Sequence, residues 1–219
     1  MKAGQIDADG YPRLQDFLRT FGTFSSQDWN EFEAILTPAF YPKGSIIHSE
    51  NKVCRTAYFI LSGCVRIYYI NDGGQEISSD FFFDGHIFTA FSSFWKQLPT
   101  SENISALQDT TVLAFQYRDV QSLIQRNEAW RNIHSNMLIR LILHTYERDE
   151  ILAEKDLVQR FKKMLALRPG IFMRAKQIHL ASFLGMTHET FSRIKATVIG
   201  KNKLCSDDVY IRSQNGISM

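Results

Sequence analysis

Cysteine is scarce in this chain of 219 residues. Cys54, Cys64 and Cys205 are an odd number without CxxC spacing, which argues against a disulfide framework and against a zinc or iron–sulfur ligand set. There is no run of eighteen apolar residues, and Met1-Lys2-Ala3-Gly4-Gln5-Ile6-Asp7 has no signal-peptide core. Both absences point to a cytoplasmic protein with no membrane partner. The six histidines, His48, His86, His134, His144, His179 and His188, make no HExxH pair, and neither GxSxG nor a Walker-type loop occurs. The expectation is a non-enzyme with no metal and no resident cofactor. Between Pro99 and Pro169 glycine and proline are both missing, the mark of long uninterrupted helix.

What is present begins with a charge asymmetry. From Glu154 onward 12 Lys/Arg face 5 Asp/Glu, and the remainder holds 13 against 18. A net +7 beside a net −5 is the footprint of a molecule that meets phosphates at one end. Within the basic part, Gln177–Lys195 reads as a helix-turn-helix. Ile178, Leu180, Ala181 and Leu184 form an apolar stripe, and Gly185 supplies the left-handed residue of a sharp turn. Thr187 caps a second helix whose inner face is Phe191 and Ile194. On its outer face Glu189, Ser192, Arg193 and Lys195 come together. Glu accepts from a cytosine amino group and Arg pairs with guanine, so these are base-edge readers. Taken singly, Glu189 also suits the helix dipole and Arg193 an ordinary solvated face.

With the segments that precede it, this stretch resembles the CRP/FNR family of bacterial transcription regulators. The resemblance covers nearly the whole chain. It implies an α+β fold: an N-terminal antiparallel β-roll (a double-stranded β-helix of the cyclic-nucleotide-binding type), a long dimerisation helix and a C-terminal winged helix-turn-helix. The corresponding divisions are 1–127, 128–153 and 154–219. The implied partners are double-stranded DNA, a second copy of the chain, RNA polymerase and a small-molecule effector of unknown identity. Glu189-x-x-Ser192-Arg193 is similar to the FNR branch and implies a TTGA-like half-site. Glu189, Ser192 and Arg193 are the expected base readers, and Thr187, His188, Lys195 and Lys201 the expected backbone contacts.

The segments in front fit this order. Leu14, Phe17, Leu18 and Phe21 have helical spacing, and Ser25 caps a helix through Leu36 that Pro38 and Pro42 close. Short β-like runs follow at Ser45–His48, Ala57–Leu61, Val65–Ile70, Gln75–Phe83, Ile104–Leu107 and Val112–Gln116, with Gly44, Gly63, Gly73-Gly74 and Gly85 at their ends. Where cyclic-AMP-binding relatives carry Gly-Glu for the ribose and Arg for the phosphate, the matching positions here are Thr89, Ala90 and Thr100. That loss removes the phosphate's countercharge and the ribose acceptor. The segment is rich in aromatics instead, and two readings are open. Phe81, Phe83, Phe88, Thr89, Ala90, Phe91, Thr100 and Ser101 either fill the roll or line an apolar pocket for another effector.

A short helix at Asp119–Arg126 and a long one at Glu128–Leu152 come next. On the long helix Ile133, Met137, Leu141, His144, Arg148 and Ile151 have the spacing of a face for a partner copy. Helix continues over Glu154–Leu167, with Leu157, Phe161, Met164 and Leu165 inside and Lys155, Arg160, Lys162 and Lys163 outside, against phosphate or solvent. Lys203–Cys205 and Val209–Ile211 read as a short wing. The expected function is a dimeric, sequence-specific regulator that does not respond to cyclic AMP. Two alternatives stand beside it: a cyclic-nucleotide-responsive activator with a non-standard phosphate site, and a small-molecule or protein-binding sensor module with degenerate DNA binding.

Overall fold

The computed structural model describes residues 10–168 and 170–200. The chain divides into two units, Met1–Ile142 and Leu143–Met219, and the division falls inside one long helix. In the first unit, helix α1 (Gly10–Arg19) buries Leu14 and Leu18, one turn apart on one face. Helix α2 (Ser26–Glu33) starts from a capping box. The Ser25 hydroxyl accepts from Asp28 N at 3.1 Å, and the Asp28 carboxylate accepts from Ser25 N at 2.8 Å. The helix stops at Glu33, and Pro38, expected only to close it, lies in strand β1 (Thr37–Tyr41), with Pro42 just after the strand. Because β1 is a sheet edge, Pro38 can lack an N–H there without breaking the ladder.

The remaining strands are β2 (Ile46–His48), β3 (Thr56–Ser62), β4 (Cys64–Ile70), β5 (Glu76–Phe83), β6 (Ile87–Phe88), β7 (Glu102–Ala106) and β8 (Thr110–Gln116). They make two four-stranded antiparallel sheets in the orders β1-β8-β3-β6 and β2-β7-β4-β5, the roll that was expected. Strand β3 is apolar without a break because both of its faces are covered. Ala57, Phe59 and Leu61 belong to one core with α1 and α2, while Tyr58 and Ile60 belong to another with Val65, Ile67 and Ile104. Gly63, between β3 and β4, has φ +118°, and a Cβ there would lie 2.4 Å from Thr110 Oγ1 and 2.7 Å from Thr110 Cα. Only glycine fits.

Helix α3 (Phe91–Lys96) precedes β7, and α4 (Tyr117–Arg126) follows β8. Asn127 then breaks the helix with extended backbone and caps the next one, its Oδ1 accepting from Ala129 N at 2.9 Å. That next helix, α5 (Glu128–Ala153), runs 26 residues, about 39 Å at 1.5 Å per residue. Its first turns bury Trp130 and Ile133 in the core with α1 and α2.

The second unit holds the end of α5 with α6 (Leu157–Leu167), α7 (Ile171–Arg174), α8 (Gln177–Phe183) and α9 (His188–Gly200). Helix α6 begins three residues later than expected because Asp156 caps it, accepting from Val158 N and Gln159 N at 2.8 and 2.9 Å. The buried apolar residues of this unit are Ile151, Phe161, Met164, Ile171, Ala175, Leu180, Ala181, Phe183, Leu184, Phe191 and Ile194. Lys201 and the expected wing, Lys203–Cys205 with Val209–Ile211, lie outside the described residues.

Candidate nucleic-acid interface

Four residues separate α8 from α9, and each is held by a local rule. Met186 N donates to Ala181 O at 3.0 Å and Gly185 N to Ser182 O at 3.1 Å, the paired bonds of a Schellman stop, with Gly185 at φ +66°. Thr187 then opens α9. Its hydroxyl accepts from Thr190 N at 3.2 Å, and its carbonyl accepts from Phe191 N at 3.0 Å. Phe191 and Ile194 turn inward as expected, Phe191 packing on Phe161 with ring centroids 5.4 Å apart and on Phe172 at 6.1 Å.

One expected inner residue is not inside. Ile178 is 58% exposed, and Phe183 takes its place in the core. The reason is angular: Ile178 lies two positions from Leu180, about 200° around the helix, whereas Phe183 is three positions on and shares Leu180's face.

With Phe191 and Ile194 committed to the interior, Glu189, Ser192 and Arg193 are exposed together, at the i, i+3, i+4 spacing that makes neighbours on a helix surface. His188 is exposed at the first position of α9, and Lys195 is half-buried. The Glu189 carboxyl is held below the ordinary glutamate range by its own backbone N–H and by the Thr187 hydroxyl, so it is a carboxylate acceptor at neutral pH. A carboxylate, a hydroxyl and a guanidinium on one solvent face can accept from and donate to base edges.

Sequence reasoning missed Arg160. Expected on the outer face of α6, it is half-buried and reaches back to the turn, Nη1 donating to Leu184 O at 2.8 Å and Nε to Glu154 O at 2.9 Å. It ties α6 to the turn of the helix-turn-helix. The partner carbonyl is 24 residues away, so no local pattern marks it. Lys163, also expected outside, pairs with Glu150 at 2.8 Å.

The expected effector segment is largely occupied by its own contacts. Phe81, Phe88 and Ala90 are buried, and Phe88 stacks on Tyr58 at 4.9 Å with the rings 15° apart. Thr89 Oγ1 donates to Thr56 O at 3.0 Å, and Thr100 Oγ1 accepts from Glu102 N at 3.1 Å. Phe83 is half-buried, while Phe91 and Ser101 are exposed. Burial pushes the Tyr58 phenol well above its ordinary range, so it stays protonated.

On α5 the face left open differs from the one with heptad-like spacing. Of the six residues expected to meet a partner copy, Ile133 and Ile151 are buried within the chain, and Met137 packs against the core with α1 and α2. Leu141, His144 and Arg148 are half-buried. The apolar residues left to solvent are Ile139, Ile142, Leu143 and Tyr146. Among the described residues no helix is long and apolar enough to cross a membrane, and no group of three His, Cys, Asp or Glu could hold a metal ion.

Residues 38–127 match the cyclic nucleotide-binding domain family. Over 158 residues the chain is 25% identical to the cyclic AMP receptor protein of Thermus thermophilus, covering 70% of this chain and 73% of that protein. In fold it is similar to a transcriptional regulator of the crp/fnr family from Eubacterium rectale, with a TM-score of 0.62 and 19% identity over 93% of this chain and 99% of that one. The c-di-GMP responsive global regulator CLP of Xanthomonas campestris gives a TM-score of 0.63 and 18% identity over 81% and 93%.

Proposed function

For this chain, a member of the CRP/FNR family of transcription regulators, we propose sequence-specific binding to double-stranded DNA as a homodimer on a palindromic site. The observation that carries this reading is the exposed triplet Glu189, Ser192 and Arg193 on a helix whose start is set by Thr187 and whose opposite face is buried. Two copies of α9 enter successive major grooves about 34–36 Å apart, where N-terminal residues of a recognition helix reach base edges. The half-site is TTGA-like. Thr187, His188 and Lys195 lie beside the base readers as backbone contacts, which set register. The stripe Ile139, Ile142, Leu143 and Tyr146 supports α5 as the dimer element, through a face other than the one its heptad spacing suggests. A cytoplasmic regulator working with RNA polymerase is the setting this implies.

The reading includes independence from cyclic AMP. Thr89, Ala90 and Thr100 stand where a ribose acceptor and a phosphate-pairing cation are needed, and the two threonine hydroxyls are engaged within the chain. A second reading, a cyclic-nucleotide-responsive activator, is favoured by the domain match over residues 38–127.

Fluorescence anisotropy separates the two. A labelled duplex with an inverted TTGA repeat is compared with a scrambled one at fixed salt, with and without cyclic AMP. Preference for the repeat that is indifferent to cyclic AMP is the expected result. Preference appearing only with cyclic AMP would establish the second reading instead. Equal, weak binding to both duplexes under both conditions would overturn sequence-specific recognition of this site and favour a sensor module with degenerate DNA binding.

A further inference from the structure

The second unit holds an open groove of about 450 Å³ where the start of α6 meets the side of α9. Lys155 and Asp156 line it from one element, and Thr190, Arg193 and Thr197 from the other. Lys155 and Arg193 are both exposed, and among the described residues no hydrogen bond or ion pair engages either side chain; the Arg193 carbonyl accepts from Thr197 Oγ1 at 3.0 Å. Other basic residues of this unit are committed: Arg160 to the carbonyls of Glu154 and Leu184, Lys163 to Glu150, and Arg148 to Asp149. Asp156 is acidic, but one of its oxygens already accepts from Val158 N and Gln159 N, so the helix N–H groups there are taken. Attraction for an anion in this groove therefore comes from the two cations. Thr190 Oγ1 lies 3.1 Å from Thr187 Oγ1.

Two cations with no side-chain partner among the described residues line one surface groove beside the single carboxylate of Asp156. The groove also shares Arg193 with the face that carries Glu189 and Ser192, so the anion must be one that accompanies bases. We propose that the groove seats a backbone phosphate of the same duplex that α9 reads, with Lys155 as its ion-pairing partner. This rests on the DNA-binding reading above. Lys155 sets the register of α9 on the duplex, and Arg193 is left on the rim to reach a base. A phosphate contact carries no sequence information, so Lys155 contributes affinity equally to every sequence.

The test is the salt dependence of duplex binding by the full chain. Each neutralised phosphate contributes about 0.9 to the slope of log K against log salt, so Lys155→Gln in both protomers lowers the slope by about two. The fall is expected to be equal on the TTGA-repeat and scrambled duplexes, with their affinity ratio unchanged. Lys155→Arg, which keeps the charge, retains the wild-type slope and checks that α6 still forms. Lys162→Gln, exposed on α6 outside the groove, leaves the slope nearly unchanged. An unchanged slope in Lys155→Gln while the wild type still prefers the repeat overturns the groove and spares the DNA reading. An equal fall in Lys162→Gln reduces the effect to general charge and also overturns the groove. A wild type that binds neither duplex overturns both.

Discussion

Leu143→Glu in the exposed stripe of α5 separates a dimer built on that stripe from one built on the heptad-spaced face. Ile139, Ile142, Leu143 and Tyr146 follow i, i+3, i+4, i+7 and are 57%, 54%, 58% and 69% exposed. Fully burying a side chain of this size contributes about 1.5–3 kcal/mol, so covering the part still exposed contributes about 1 kcal/mol per residue. In a symmetric pair Leu143 occurs twice. Replacing it by Glu therefore removes about 2 kcal/mol of burial and sets two carboxylates in an apolar seam. The burial loss alone raises the dimer dissociation constant about 30-fold at 1.4 kcal/mol per tenfold. Charge desolvation adds to this. Sedimentation velocity over a micromolar concentration series reads the shift, with Gln125→Glu, exposed on α4, as a control that leaves the equilibrium unchanged. A wild type that sediments as a monomer throughout refutes the dimer. A Leu143→Glu variant that associates as tightly as wild type, while Arg148→Ala dissociates, restores the heptad-spaced face.

Arg193→Ala is expected to relax preference at one base pair of the half-site by about 1–3 kcal/mol in a base-by-base binding series, and an unchanged preference removes its reading role. Gly63→Ala combines a left-handed φ, costing about 1–2 kcal/mol, with overpacking against Thr110, costing about 1–3 kcal/mol. A loss of about 2–5 kcal/mol by urea titration is expected. Gly44→Ala, at φ +88° with nothing within 4 Å of the new Cβ, bears only the first of these, and equal losses in the two variants would refute the steric account. His134 lies 4.7 Å from the Trp95 ring, has no hydrogen-bond partner for Nε2, and is held by burial below its ordinary imidazole range. A base depressed on folding is more protonated unfolded. Its contribution is present above about pH 6.5 and is lost as pH falls through the folded value. The thermal midpoint should therefore fall as pH drops from neutral toward about 5, less steeply in His134→Gln. His48, depressed by burial in the same direction, keeps part of the slope. A midpoint that is flat or rises on acidification refutes the argument.

The helix-turn-helix was legible because its signals are local. Gly185, Thr187, Phe191 and Ile194 each act within a turn of their own position, and the structure places each where its chemistry requires. Most strands of the roll were legible for the same reason, bounded by glycines and rich in β-branched and aromatic residues. Strand β1 was missed because two prolines read as terminators, and edge position, which makes Pro38 harmless, is a property of the sheet. Strand β6 has two residues and shows no period. On α5 the expected partner face is partly buried within the chain, for a deeper reason. A helix apolar nearly all round has no phase of its own, so its free face is decided by what packs first, here the core that takes Ile133 and Met137.

The same accounting bears on where a phosphate can be held. A buried phosphate needs a paired countercharge, because desolvating an unpaired one costs several kcal/mol. Among the described residues Arg66 is the buried cation, and it is already committed: Nε donates to Ser78, Nη1 pairs with Glu76, and the guanidinium lies 4.3 Å over the Tyr68 ring. Recruiting it for a cyclic phosphate would break its pairing with Glu76, which opposes binding before any nucleotide contact forms. Lys155 and Arg193, by contrast, are exposed with no side-chain partner among the described residues, so a phosphate there would meet them without first breaking a bond. A committed buried cation in the roll and two exposed, uncommitted ones in the groove of the second unit favour phosphate recognition at the DNA rather than in the roll. Any effector shifts the DNA-binding equilibrium only as far as its affinities for the two states differ.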